Sequence, residues 1–260
     1  MNLLEETLTW KWPLIFILMF IFGWRQRSQL IQSSIVIQEK LNQWDILIGI
    51  TGDPYLLLYL LLPLMLLLTC LSIWKSWDTL YLIRVSKWGK WVAYSVKKFS
   101  CIVLLSVTIL LVASLILTVG IPYQAGWSLF SSTDTSTFNY ISSASWKSNL
   151  SPIAVLILQI SLLIIVFLSL HAFITAIFIY LPKMLYLWFI SFIILFYAII
   201  SFGYFPGPPI IVPFNYMTFH SSYGLYGSIY PAFVILLSLL IISVYIIPLI
   251  KKIKGVKNVD

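Results

Sequence analysis

Long apolar runs separated by short polar segments dominate this chain. Five runs approach the roughly 20 residues that a helix needs to cross a bilayer, and we predict spans at 54–74, 99–120, 152–181, 184–205 and 229–250. A sixth run, WPLIFILMFIFGW, is shorter and precedes Arg25 and Arg27. It either lies in the interface or spans; we favour a span at 12–32, because tryptophans flank it and arginines can snorkel. The pattern predicts an all-α membrane protein with six transmembrane helices.

The composition excludes an ordinary soluble domain. Hydrophobic residues make up 61% of the 260-residue chain and charged residues 9%, whereas soluble domains are under half apolar and about 25% charged. With the amino terminus inside, twelve of the sixteen Lys and Arg residues fall on the cytoplasmic side, as the positive-inside rule requires. We therefore attribute the net charge of +8 to orientation and to contact with membrane lipid, not to nucleic acid, and place both termini in the cytoplasm.

The chain offers little chemistry inside its apolar runs. The eight acidic residues all lie outside them. Arg25 and Arg27 lie toward the end of the first predicted span, and His171 is the one His, Lys, Arg, Asp or Glu in the interior of a predicted span. A single histidine on a packed helix is more typical of an interhelical hydrogen bond than of a proton relay. The sequence has no metal-ligand spacing, nucleophile elbow or phosphate-binding loop. We predict that this chain is not an enzyme and holds no cofactor. If it moves a solute uphill, the energy must come from another polypeptide.

Three segments are predicted to lie outside, at 33–53, 121–151 and 206–228. The second is rich in Ser and Thr with scattered aromatic residues, which fits either a small ordered cap or a mobile loop. The region 203–228 holds four prolines, four glycines and no charge. Because proline at that density excludes a regular helix, we predict a broken, re-entrant segment over the mouth of a pathway. The alternative is an amphipathic loop resting on lipid headgroups.

The inner segment 75–98, KSWDTLYLIRVSKWGKWVAYSVKK, carries six of the sixteen Lys and Arg residues. Topology explains this charge, but it does not explain the amphipathic pattern of residues 77–85. Read as a helix, these residues place Trp77, Leu80 and Tyr81 toward one side, which is typical of an interfacial helix. Ser86 is then the N-cap of a second helix that runs into the third span. We predict a docking element here.

Three stretches carry a family resemblance: LLEETLTWKW at the beginning, WDTLYLIRVSKWGKW between spans two and three, and FPGPPIIVPFNY between spans five and six. With six spans, they resemble the permease subunit of type-two ABC exporters. The similarity is closest to small Gram-positive bacterial permeases that export, or give immunity against, antimicrobial peptides. The resemblance implies an elbow helix at 1–11, a coupling helix within 75–98 and re-entrant helices in the last outer loop. It also implies a bacterial plasma membrane as the location.

The partners that the resemblance implies are a cytoplasmic ABC ATPase, which would bind ATP and magnesium, and a second permease subunit, identical or similar. The ATPase contact would fall on Trp77, Asp78, Leu80, Tyr81, Arg84, Lys87 and Trp88. The predicted outer gate comprises Phe205, Pro206, Pro208, Pro209, Pro213 and Phe214. The expected function is export of a hydrophobic or amphipathic cargo, peptide or lipid-like, by alternating access. The alternative is a stand-alone protein that binds or sequesters a peptide or lipid without turnover; an intramembrane enzyme is favoured least.

Overall fold

The computed structural model describes residues 11–77, 88–133, 140–203 and 212–256, and within these ranges the regular structure is helical. The α-helices are α1 Lys11–Ile37, α2 Gln43–Thr51, α3 Pro54–Leu56, α4 Leu62–Ser76, α5 Trp88–Leu117, α6 Leu129–Ser132, α7 Tyr140–Trp146, α8 Pro152–Phe178, α9 Met184–Gly203, α10 Phe219–Tyr226, α11 Tyr230–Ile241 and α12 Ile247–Val256. A 3₁₀ turn, Pro213–Tyr216, precedes α10.

Six helical stretches among the described residues are long and apolar enough to cross a membrane. They are Lys11–Ile37, Gln43–Ser76, Trp88–Leu117, Pro152–Phe178, Met184–Phe202 and Tyr230–Lys251. These stretches confirm the prediction of an all-α chain with six helices of spanning length and support a multi-pass membrane protein. Which side each end faces stays a prediction.

The helices extend beyond the apolar runs at several points. Helix α1 continues to Ile37, past the predicted end at 32, and α5 begins at Trp88, inside the predicted coupling region 75–98. Helix α2 lies within the predicted outer loop 33–53 and forms the beginning of the second spanning stretch, Gln43–Ser76. Gly52 and Asp53 separate α2 from α3, which begins at Pro54. In a sequence these residue types are typical of a loop, but here the chain returns to a helix directly after them.

Two π-helical segments, Leu57–Leu61 and Ile242–Ile246, join α3 to α4 and α11 to α12. Each ends just before a proline, Pro63 or Pro248. A proline has no N–H to donate and its ring clashes with the carbonyl four residues earlier, so the helix widens locally. In the second segment that carbonyl belongs to Val244, and a Cβ placed on Gly89 of α5 would lie 3.0 Å from its oxygen. Glycine at position 89 therefore lets α5 approach this widened turn.

Helix α8 packs against both α5 and α11, and α5 also packs against α1. Large apolar side chains fill the interface, among them Met19, Phe99, Val103 and Phe167, all buried. Other large apolar side chains point outward on the peripheral helices and remain exposed: Ile17 and Ile21 on α1, Phe189, Phe192 and Phe196 on α9, and Val234 and Ile241 on α11. An apolar outer surface of this extent suits a lipid environment.

The chain segments meet at two opposite ends of the bundle. The end of α4, the start of α5, the end of α8 and α12 meet at one end, which we call the basic end because Lys75, Lys90 and Lys251 lie there. At the other, the cap end, α2 contacts α7 and is hydrogen-bonded to residues 122–131, and α7 contacts α10. Which of the two ends faces the cytoplasm stays a prediction.

Candidate coupling end and outer gate

Four aromatic residues at the basic end form a cluster that we call the tryptophan clamp: Trp77, Trp88, Trp91 and Phe178. The Trp77 ring stacks on Trp88 with centroids 6.1 Å apart, and it meets Trp91 and Phe178 edge-on at 5.2 and 4.8 Å. The indole N–H of Trp91 donates to the carbonyl of Ser76 at 3.3 Å. Such aromatic pairs stabilise beyond their buried area. The clamp therefore joins the end of α4 to the start of α5 and to the end of α8.

Lys251 ties helix α12 to this clamp. Its Nζ lies 4.7 Å from the centre of the Trp88 ring and 5.6 Å from that of Tyr180, distances at which a cation is attracted to an aromatic face. The same Nζ donates to the carbonyl of Ile179, and the Tyr180 hydroxyl donates to the carbonyl of Ile247 at 2.7 Å. Together with the tryptophan clamp, these contacts connect the ends of α4, α5, α8 and α12 at the basic end.

The structure places the predicted ATPase contacts in two groups. Trp77 and Trp88 are half-buried in the clamp, so part of each ring packs against the helix bundle. Asp78, Leu80, Tyr81, Arg84 and Lys87 lie outside the described residues, as does the predicted N-cap Ser86. The ATPase contact therefore stays a prediction, and helical spacing alone does not show what a tryptophan packs against.

His171 forms an interhelical joint near the same end of α8. Its Nε2 lies 2.9 Å from the hydroxyl of Ser95 on α5, and its Nδ1 lies 3.3 Å from the hydroxyl of Thr69 on α4. The imidazole also stacks on Phe99 at 4.0 Å. This arrangement agrees with the predicted hydrogen-bonding role, and it links three helices through one buried side chain.

At the opposite end, the described part of segment 121–151 is an ordered cap. The Gln43 side chain donates to the carbonyl of Gln124 at 2.8 Å and accepts from its N–H at 3.0 Å. Asn42 donates to the carbonyl of Gly126 and the Trp44 indole to that of Gln124, both at 2.8 Å. Because several bonds fix the backbone after α5 to the start of α2, the structure favours the cap over a mobile loop for these residues.

Asp45 is a buried carboxylate that anchors this cap. It belongs to a capping box: Asn42 caps the start of α2, and the N–H of Asn42 donates to Asp45 at 2.9 Å. The hydroxyl of Ser131 on α6 donates to the other carboxylate oxygen. A buried carboxylate needs donors of this kind, because an unpaired one is very costly. Asp45 is therefore a structural tether between α2 and α6.

The described part of the last outer loop folds inward. Pro213 begins the 3₁₀ turn, and Phe214 is buried against Phe202 with ring centroids 4.8 Å apart. The other predicted gate residues, Phe205, Pro206, Pro208 and Pro209, lie outside the described residues. Residues 216–222 are buried, which favours an inward-folded segment over an amphipathic loop on lipid headgroups. Its depth in a bilayer stays a prediction.

One side chain of α8 holds this inward-folded segment, and sequence reasoning missed it. The amide nitrogen of Gln159 donates to the carbonyls of Thr51 at 3.2 Å and Met217 at 3.0 Å, and its oxygen accepts from the N–H of Phe219 at 2.5 Å. We call this the glutamine bridge. It satisfies backbone groups at the end of α2 and in an irregular segment, where unpaired groups are costly away from water. The sequence contained one indication of this role: Gln159 is the one amide side chain in the long apolar helix α8.

His220 lies beside the glutamine bridge on α10. A Cβ at Gly52 would lie 3.4 Å from its Nδ1 and 3.0 Å from the carbonyl oxygen of Ile48, so glycine at 52 permits this close packing. Burial lowers the pKa of His220 to about 3, because the imidazolium form loses its hydration. The side chain is therefore neutral at physiological pH.

We expect His220 to make stability fall as the pH drops. The unfolded chain takes up a proton below the ordinary pKa of 6.5 while the folded chain does not until about 3, so stability is lost through that range. Each pH unit below 6.5 costs about 1.4 kcal/mol from this group. Between pH 6.5 and 5 the free energy of unfolding should fall by about 2 kcal/mol more for the wild type than for His220→Gln. Identical pH profiles for the two proteins would show that His220 is not held neutral.

Within the described ranges, no three His, Cys, Asp or Glu side chains lie close enough together to hold a metal ion. The interior polar side chains of Asp45, Gln159 and His171 are instead hydrogen-bonded between helices or to backbone. These features can position helix ends and hold an outer segment in place. Comparison with protein-family models, with curated proteins and with solved structures found no match to this chain.

Proposed function

We propose that this chain is the permease subunit of an ATP-driven ABC exporter. A cytoplasmic ATPase would bind segment 75–98, and its nucleotide cycle would open a path toward the cap end by alternating access. ATP and magnesium would bind to the ATPase, and a second permease subunit would complete the path. The proposal extends the resemblance described above; the structure contributes a physical basis for coupling.

The observation that carries the proposal is the tryptophan clamp. A docking segment can transmit force only if it is joined firmly to the helices that must move. Trp77 and Trp88 flank residues 78–87 and stack on each other, while Phe178 and Lys251 join them to α8 and α12. A displacement of residues 78–87, the docking segment, would therefore move the adjoining ends of α4, α5, α8 and α12 together.

The distribution of charge supports the same assignment. Lys75 and Lys90 are exposed at the basic end, and the docking segment adds Arg84 and Lys87, which suits an acidic surface on a soluble partner. In contrast, residues 206–228 contain no charged residue. A hydrophobic or amphipathic cargo, such as a peptide or lipid-like molecule, fits a pathway that ends under such a segment.

The test is recovery of the partner. The full chain, tagged and extracted from its own membrane in mild detergent, should bring down a nucleotide-binding ATPase in stoichiometric amount, as measured by mass spectrometry. A tagged membrane protein with another soluble partner provides the control. Recovery of this chain alone, with its cellular activity intact, would favour the stand-alone binding protein instead.

A further inference from the structure

We propose that a groove at the cap end binds the phosphate-bearing headgroup of an anionic phospholipid. The groove has a volume of about 480 Å³ and lies between the last turns of α1 and residues 120–122. Arg27, Ile31 and Ile35 form one wall, Ile121 part of the other, and Lys40 stands at the rim. The proposal does not depend on transport.

Backbone geometry shapes this groove before any ligand binds. The chain reverses after α1 at Gln38, with φ 63°, and after α5 at Gly120, with φ 84°. A Cβ at Gly120 would have no neighbour within 4 Å, so the space beside it is open. The guanidinium of Arg27 donates to the carbonyl of Val119 at 3.2 Å. This bond joins the two walls and holds them apart at a fixed distance.

The lining has the chemistry of an amphiphile site. Arg27 carries five N–H donors, of which the carbonyl of Val119 accepts one. Its buried Nε has no acceptor among the residues that the structure describes. The exposed Lys40 supplies a second cation, whereas Glu39 is the one acidic side chain in the lining. The lining therefore has a net charge of +1, which complements one phosphate. Ile31 and Ile35 offer an apolar wall along which an acyl chain can lie.

The position of the groove identifies a lipid as the occupant. It lies where the apolar part of α1 ends, next to Trp24, whose ring lies 5.3 Å from the Arg27 guanidinium. Arg25 lies 5.4 Å from the ring of Tyr55 on α3. Tryptophan, tyrosine and arginine at this density mark the level of lipid headgroups. A lipid is favoured as the source of a phosphate at that level, because the apolar helix surface beside the groove can take its acyl chains.

The experiment uses the full chain in phosphatidylcholine vesicles that contain a minor fraction of photoactivatable phosphatidylglycerol, with labelled peptides mapped by mass spectrometry. We expect labelling to concentrate on the residues that line the groove, and Lys40→Gln to reduce it by about fivefold, the effect of one surface cation. Lys147→Gln, which removes another cation near the cap end, should leave labelling unchanged. Arg27→Gln should lower it further, and Lys40→Gln keeps the test valid if that variant folds poorly.

Three results would overturn the proposal. They are labelling spread evenly over the apolar surface, equal loss in Lys40→Gln and Lys147→Gln, and equal labelling by photoactivatable phosphatidylcholine. Competition distinguishes the source of the phosphate: millimolar inorganic phosphate should leave the labelling unchanged. Displacement of the lipid by inorganic phosphate would show an anion site without lipid specificity, and would also overturn the proposal.

Discussion

Gln159→Leu is expected to lower the free energy of unfolding by about 2–4 kcal/mol. Leucine keeps most of the volume of the side chain but removes its hydrogen bonds to Thr51, Met217 and Phe219. Those backbone groups lie in a buried region, so each loses its partner without gaining water. The expected loss is smaller than the sum of three unpaired groups, because the unfolded chain in a membrane also finds partners.

Ser161→Ala is the matched control for this substitution. Ser161 lies on the same helix, but its hydroxyl donates to Ile157 within α8 itself at 2.8 Å. Its removal should change the free energy of unfolding by less than about 0.5 kcal/mol. Reversible unfolding in mixed micelles measures both variants. If Gln159→Leu unfolds at the same denaturant concentration as Ser161→Ala, the glutamine bridge does not hold the outer segment.

The glutamine bridge should also protect the outer segment from local opening. In Gln159→Leu, hydrogen exchange of the amides of residues 217–222 should become about tenfold faster or more, since one lost hydrogen bond of about 1.4 kcal/mol corresponds to that factor. The amides of α5 should keep their protection. Uniform acceleration along the chain would indicate global destabilisation and would contradict a local role for the bridge.

The sequence predicts the six spanning helices because apolar length is a direct consequence of bilayer thickness. It does not predict α2, because Gly52, Asp53 and Pro54 are residue types typical of a loop, whereas in the structure a helix lies on each side of Gly52 and Asp53. The sequence predicts a first span that passes Arg25 and Arg27 and ends near residue 32, because charged residues end an apolar run without ending a helix. The helix continues five residues further, to Ile37.

The sequence indicates which segments of the chain contain the candidate sites, but it indicates few of the contacts that their side chains make. The charge-free, proline-rich segment predicts a re-entrant last outer loop. The structure shows that its described part is buried, as Phe214 is, and re-entry into a bilayer stays a prediction. Helical spacing placed Trp77 on one side of an interfacial helix, but it did not indicate that the Trp77 ring packs on Trp91 and Phe178. Gln159 was missed because its partners are backbone groups distant in sequence, and a pattern of side chains contains no information about them.

Arg84→Glu is expected to reduce recovery of the ATPase by at least about tenfold. Under the proposed function, reversal of one charge on the docking segment replaces an attraction to the ATPase by a repulsion, and Arg84 is one of the six Lys and Arg residues in segment 75–98. The fold of the chain should not change, so its unfolding transition should match that of the wild type. Lys147→Glu, a charge reversal on the predicted outer side, should leave recovery of the ATPase unchanged.

Unlike Arg84→Glu, Trp77→Ala is expected to lower the stability of the chain itself. Because Trp77 packs on Trp88, Trp91 and Phe178, its loss should lower the free energy of unfolding by about 2–3 kcal/mol, somewhat less than for a fully buried tryptophan. Trp74→Ala, at an exposed position on the same helix, should cost much less. Equal stability of Trp77→Ala and the wild type would show that the clamp does not join the helix ends.

The most direct measurement of the proposed function is ATP hydrolysis by the complex purified through a tag on this chain. We predict magnesium-dependent hydrolysis that is sensitive to vanadate, coelutes with the wild-type chain, and falls with Arg84→Glu in proportion to the ATPase that is lost. A preparation that contains this chain alone, hydrolyses no ATP and keeps its activity in cells after Arg84→Glu would contradict the assignment as an ATP-driven permease.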